Sequence, residues 1–160
     1  MSAFESELQV VADRVVAQAQ PGEEVEAFVT RGGDTDVRIY QGAVEHFVSA
    51  QSEGVGIRVI SGGRTGFAYA GTLDESAIAE VLAEARDNVQ FGEPDEYAAL
   101  AEPDGVAITE QSLWNDELAD YPTDYKIDLA KQLEKLASGR DPRVRVDDSN
   151  YADAHGESAV

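Results

Sequence analysis

Two residues, His46 and His155, carry the only imidazoles in the 160-residue chain, and no cysteine accompanies them. A peptidase zinc site places two histidines on one helical turn, as HExxH or HExxxH, and adds a third ligand. Neither spacing occurs. His155-Gly156-Glu157 matches the H-x-E of zinc deaminases, but that site needs cysteine partners. His46 falls on a strand-like run with apolar neighbours and reads as a core or edge histidine. Asp147, Asp148, Asn150 and Asp153 resemble the start of a calcium loop. The EF-hand pattern then fails, because Ala152 and Asp153 stand where an oxygen ligand and a glycine are required. A solvated acidic loop explains these residues.

Glycine motifs fare no better. Gly54-Val55-Gly56 opens like a dinucleotide fingerprint, but Val59 occupies the third glycine position and no helix follows. Ser61-Gly62-Gly63-Arg64-Thr65 ends like a phosphate loop, yet Arg64 replaces the lysine and Arg58 the first glycine. No G-x-S-x-G elbow occurs, and carboxylate pairs are too common here for one to stand out. The segment therefore offers no catalytic residue and no metal ligand. What is left is a basic and aromatic group: Arg58 and Arg64 flank one tight turn, and Phe67 and Tyr69 share one face of the strand that follows. The two arginines either balance local carboxylates or, with the aromatics, contact a substrate or partner.

Charge narrows the partners. Asp and Glu number 32 against 12 Lys and Arg, a net charge of −20. Nucleic acid is bound by cationic side chains that displace counterions, so direct nucleic-acid binding is disfavoured. An anionic membrane surface is disfavoured for the same reason. The acidity serves solubility, as in a salt-adapted protein, or attracts basic peptides. No apolar run approaches the roughly 20 residues of a membrane span, and the N-terminus lacks a basic signal region. The expected location is the cytoplasm.

The elements that position these residues follow from periodicity. Phe4, Leu8, Val11 and Val15 predict a first helix, started by a Ser2/Glu5 capping box and stopped at Pro21-Gly22. Alternation then predicts strands at 25–31, 36–40, 43–53, 55–60 and 64–70, with turns at Gly32-Gly33-Asp34, Gln41-Gly42 and Ser61-Gly62-Gly63. A second helix follows Thr72, with Thr72 and Glu75 as its capping box and Ile78, Leu82, Ala85 and Val89 as its stripe. Residues 91–121 read as an acidic connection pinned to the body by Leu113 and Trp114. A third helix spans 123–138 on Leu129, Leu133 and Leu136 and ends at Gly139. Val144 and Val146 begin a further strand, and Val160 reads as the opening of another whose remainder is missing. The expected fold is α+β: an antiparallel, meandering sheet with about three packed helices, truncated at the C-terminus. One domain spans 1–160, with parts at 1–90, 91–121 and 122–160 and no internal repeat.

The stretch 51–70, Gln-Ser-Glu-Gly-Val-Gly-Ile-Arg-Val-Ile-Ser-Gly-Gly-Arg-Thr-Gly-Phe-Ala-Tyr-Ala, resembles the strand–turn–strand signature of the TldD/PmbA (TldD/TldE) family. The strands at 25–31 and 37–47, with Gly42 and Glu45, the helix at 72–88 and the segment 144–153 resemble the same family. The resemblance covers most of 22–90 and 122–160. It implies the N-terminal domain of a two-part protein, closer to the PmbA/TldE type. In that family a later domain of the TldD-type member carries an HExxxH zinc site, and two subunits act together as a peptidase. The resemblance thus implies zinc in the full-length assembly or its partner, none in this segment, a TldD-like or PmbA-like partner in a homo- or heterodimer, and a peptide substrate. It also brings the family's older description as a modulator of DNA gyrase, against which the charge argues. The alternative is a non-catalytic module that binds a peptide or a partner.

Overall fold

The computed structural model describes residues 6–102, 104–107, 109 and 111–160. Among these, the elements in chain order are helix α1 (Glu7–Val16), strands β1 (Glu23–Tyr40), β2 (Ala43–Ser61) and β3 (Arg64–Ala70), helices α2 (Glu75–Val89), α3 (Asp116–Asp120) and α4 (Thr123–Ser138), and strand β4 (Ser149–Ala159). The sheet is antiparallel with order β3-β2-β1-β4. The first three strands form the expected meander, and the last docks beside β1. The fold is α+β, as the periodicity predicts.

Two long strands, β1 and β2, replace the four short ones expected over 25–60, and β3 has the expected bounds, 64–70. Gly32-Gly33-Asp34 lies inside β1 and makes no turn. A Cβ on Gly33 would stand 2.8 Å from His155 Cε1 and 3.2 Å from the Ala50 carbonyl oxygen, so this glycine admits close packing rather than a reversal. Gly54 likewise sits within β2, where a Cβ would lie 2.8 Å from the Ala70 oxygen. The other two turns form as expected. Gln41 and Gly42 both have positive φ (50° and 78°), as do Gly62 and Gly63 (58° and 69°), the signature of two-residue type I′ hairpins. The second hairpin sets the register Ser61↔Arg64, Arg58↔Phe67 and Gly56↔Tyr69.

The chain divides into two compact units, the first comprising Met1–Arg31, Ser52–Thr109 and Gly156–Val160. Its core joins Leu8, Ala12 and Val15 of α1 and Ile78, Val81, Leu82 and Ala85 of α2 to one face of the strands, through Val25, Ala27, Val29, Val55, Ile57 and Val59. Each fully buried branched side chain contributes about 1.5–3 kcal/mol. The expected capping box at Ser2 and Glu5, and Phe4, lie outside the described residues. Ser6 caps α1 instead, its hydroxyl accepting from the Gln9 N–H at 3.1 Å. The Thr72 hydroxyl accepts from the Asp74 N–H at 3.2 Å, one step ahead of α2, whose N-cap is Asp74. Arg86 forks onto Glu23 at 3.0 Å and donates to the Gln18 carbonyl at 2.6 Å, tying the end of α2 to the approach to β1.

The second unit comprises Gly32–Gln51 and Glu110–His155. Its apolar core is small: Val37, Ile39 and Ala130, flanked by Ile127 and Tyr151. Helix α4 has the predicted bounds but a different inner face. Lys126 and Ala130 are buried, whereas Leu133 is 55% and Leu136 70% exposed. The strand predicted from Val144 starts at Ser149 and runs unbroken to Ala159, so Asp153 belongs to a strand and not to a solvated loop. The whole stretch 43–53 is exposed, including His46, which rules out a core position for it; β3 pairs only with Val55–Ser61 of β2, so His46 lies on the stretch of β2 that β3 leaves uncovered. Leu113 is 85% exposed and pins nothing, while Trp114 meets His155 edge-on at 6.0 Å. Among the described residues no helix is long and apolar enough to cross a membrane.

Candidate functional site

Strand alternation sends Val25, Ala27 and Val29 inward and leaves Glu26 and Phe28 on the opposite face of β1. On β3 the same rule exposes Phe67 and Tyr69 while Ala68 is buried. Their rings stack at 6.2 Å and 29°, and the Phe67 ring edge lies 3.2 Å from where a Cβ of Gly56 would stand. Gly56 therefore lets an aromatic side chain lie against the sheet.

Arg58 stands directly across from Phe67 in the ladder and so shares its face. Its Nη2 donates to Glu26 at 3.0 Å, with the arginine side chain 40% exposed. Its Nε is buried without a hydrogen-bond acceptor. Arg58, Phe67 and Tyr69 thus form one cluster, joined by Glu26 through its bond to Arg58; Phe28, 47% exposed and not singled out from the sequence, lies on the same face of β1 as Glu26. Alternation at 25–29 carried the signal for Phe28.

Arg64 does not join them. It lies in register with Ser61 at the hairpin and donates to the Gly92 carbonyl, beyond the end of α2. Close to it, Asn88 Nδ2 donates to the Phe67 carbonyl at 2.9 Å, and a Cβ on Gly92 would stand 2.5 Å from the Thr65 carbonyl oxygen. The residues after α2 therefore press against the backbone of β3. An open acidic depression lined by Gly62, Gly63, Pro94, Asp95, Glu96 and Tyr97 lies beside this turn.

The second unit holds the strongest electrostatics. Lys126 Nζ contacts Asp153 at 2.7 Å and donates to Thr35 Oγ1 at 3.3 Å, and the Tyr151 hydroxyl donates to Asp153 at 2.5 Å. Burial pushes the Asp153 carboxyl up, but hydrogen bonds from Lys126 and Tyr151 and the ammonium charge outweigh it and hold it below its usual value. Burial first, then its bond to Asp153, pushes the Tyr151 phenol up to about 12. A phenol raised this far stays protonated and is no general base. The cluster is a buried structural network.

Among the described residues no three His, Cys, Asp or Glu side chains converge as metal ligands. The zinc that the family resemblance implies has no fitting ligand set here.

Residues 25–89 match the family model described as PmbA/TldA metallopeptidase domain 1. Over these residues the chain carries a first domain of the PmbA/TldD type. A metalloprotease PmbA homolog from Haemophilus influenzae is 29% identical over 145 residues, 90% of this chain and 32% of that protein. An uncharacterised protein of Methanocaldococcus jannaschii is 30% identical over 91 residues, covering 56% and 21%. A candidate modulator of a DNA gyrase from Thermotoga maritima superposes with a TM-score of 0.79 at 23% identity, covering 94% of this chain and 34% of that one. TldE from Thermococcus kodakarensis superposes at 0.71 and 20% identity, covering 99% and 35%. The chain spans about a third or less of the length of the relatives it matches. At such identities the superpositions establish the fold alone.

Proposed function

We propose that this chain serves as the non-metal-binding N-terminal segment of a PmbA/TldD-type zinc metallopeptidase assembly, in the cytoplasm. There it forms part of the wall of a peptide cleft and pairs with a TldD-like or PmbA-like subunit. The observation that carries this reading is the open sheet face of the first unit, where Phe67 and Tyr69 stack beside Arg58. Stacked aromatics supply apolar contact area, and the Arg58 side chain, 40% exposed, carries guanidinium N–H groups beyond the one given to Glu26. Such a face holds an extended peptide by side-chain contact and by hydrogen bonds to its carbonyls. The hydrolytic chemistry belongs to a zinc-bearing subunit or domain, and no step is assigned to residues of this chain. Direct contact with nucleic acid lies outside the reading because of the net charge of −20.

The test uses the assembled enzyme. Y69S and R58A are expected to raise KM several-fold with kcat little changed, the pattern of lost ground-state binding. Unchanged KM in both variants, with normal circular dichroism, would remove the cleft role. The second reading, a non-catalytic peptide- or partner-binding module, is favoured by the same face together with the lack of converging ligands among the described residues. It predicts peptide binding that these variants weaken while hydrolysis by the assembly stays unchanged.

A further inference from the structure

The outward sheet face of the first unit, the one turned away from α1 and α2, has an acidic border. Ile60 belongs to this face by alternation with Arg58, yet it is only 5% exposed. The chain after α2 crosses that end of the sheet. The Asp95 N–H donates to the Gly63 carbonyl at 2.8 Å, and the Leu100 N–H donates to Glu24 at 2.8 Å. The open face that holds Phe67 and Tyr69 is thus bounded at the hairpin by a segment carrying Glu93, Asp95 and Glu96, all exposed.

Cations do not offset these carboxylates. Among the described residues of the unit the cations are Arg14, Arg31, Arg58, Arg64 and Arg86. Arg14 pairs with Glu75, Arg31 with Glu7 and Glu157, and Arg86 with Glu23, while Arg64 donates to the Gly92 carbonyl. Arg58 alone stands on the face, and Glu26 compensates it. Among the described residues no salt bridge engages Glu24, Asp95 or Glu96, and the Phe67 and Tyr69 side chains stay 53% and 76% exposed.

We infer that this face takes a basic peptide. A Lys or Arg side chain lies on the Phe67–Tyr69 stack with its charge toward Glu26, and Asp95 and Glu96 draw further basic residues to the hairpin end. The inference rests on the peptide-cleft reading above and names the class of peptide. Aromatic rings attract a cation placed over their faces, and the net charge of −20 adds a long-range field of matching sign. Arg58, offset by Glu26, supplies N–H groups to peptide carbonyls.

Fluorescence anisotropy of the chain with three labelled Ser/Val peptides, identical except for Lys, Gln or Glu at two central positions, tests this. The Lys peptide is expected to bind about tenfold tighter than the Gln peptide, with the Glu peptide weakest and the gap narrowing in high salt. E26Q and D95N/E96Q, each with unchanged circular dichroism, are expected to cut the Lys preference to about threefold or less. E80Q/E84Q, which removes charge from the exposed side of α2, is expected to leave it near its wild-type value. R58A is expected to weaken all three peptides yet widen the Lys preference, since Glu26 loses its partner. Equal affinity for the three peptides, or a preference that E80Q/E84Q lowers as much as D95N/E96Q, overturns the inference. Equal binding that Y69S weakens for all three counts against the basic preference and leaves the cleft reading standing. Absence of binding by all three also overturns the inference, and the KM test on the assembly then decides the cleft separately.

Discussion

Lys126 Nζ lies 2.7 Å from the Asp153 carboxylate, and their side chains are only 10% and 8% exposed. The pair joins α4 to β4 in a unit whose apolar core is only a few side chains. Removing one partner leaves a buried charge without compensation, which costs about 3–5 kcal/mol. Urea denaturation is expected to show a loss of this order for K126M or D153N. K126M/D153L, which removes both charges, is expected to be less damaging than either single change. A double mutant as unstable as the sum of the singles would mean that the two residues act independently.

The same pair sets an acid limit. Asp153 has its folded pKa below the ordinary value of 3.8, so the folded state binds fewer protons than the unfolded one across that interval. Its contribution is therefore complete above about 3.8 and is lost as pH falls through the folded value. D153N is expected to flatten the acid side of the stability profile.

Tyr151 acts at the other end of the scale. Its phenol is raised from 10.0 to about 12. A raised pKa stabilises the protonated, folded form, so the contribution is complete below pH 10 and disappears as pH rises towards 12. Thermal melts of wild type and Y151F are expected to diverge in that window, with the variant less pH-dependent. Parallel melting curves would contradict the buried placement of the phenol.

At Gly66 the limit is steric. A Cβ there would lie 2.1 Å from the Ala85 carbonyl oxygen and 2.5 Å from the Val89 nitrogen, inside the backbone of α2. G66A must lift the helix from β3 and is expected to cost about 3 kcal/mol or more in denaturant titration, the upper range of overpacking. G71A, which meets nothing within 4 Å, serves as the control.

Much of this was legible from alternation and turn chemistry. The hairpins at Gln41-Gly42 and Gly62-Gly63 were readable because positive φ at both central residues calls for such types. The stripe of α2 was readable because one helix face meets one sheet face. Gly33 misled because a glycine in a strand and a glycine in a turn look identical until a distant residue, His155, supplies the reason. Helix α4 misled because tertiary pairing with Asp153 drew a lysine inward in place of the leucines. At the candidate site, sequence alternation placed Phe67 and Tyr69 together, but only the ladder register put Arg58 with them and sent Arg64 elsewhere.

The net charge of −20 makes salt a further probe. Screening weakens repulsion among surface carboxylates more than it weakens buried pairs such as Lys126–Asp153. Stability in chemical denaturation by urea is expected to rise steadily with added sodium chloride. A fall with salt would show that exposed pairs such as Arg14–Glu75 contribute more than the general repulsion removes.

Peptide hydrolysis measured on this chain alone, with and without added zinc, and again with a zinc-bearing PmbA/TldD-type subunit, tests the functional account most directly. The account predicts no cleavage by the chain alone under either condition, and chelator-sensitive cleavage once the metal-bearing subunit is present. Chelator-sensitive cleavage by the chain alone would contradict it.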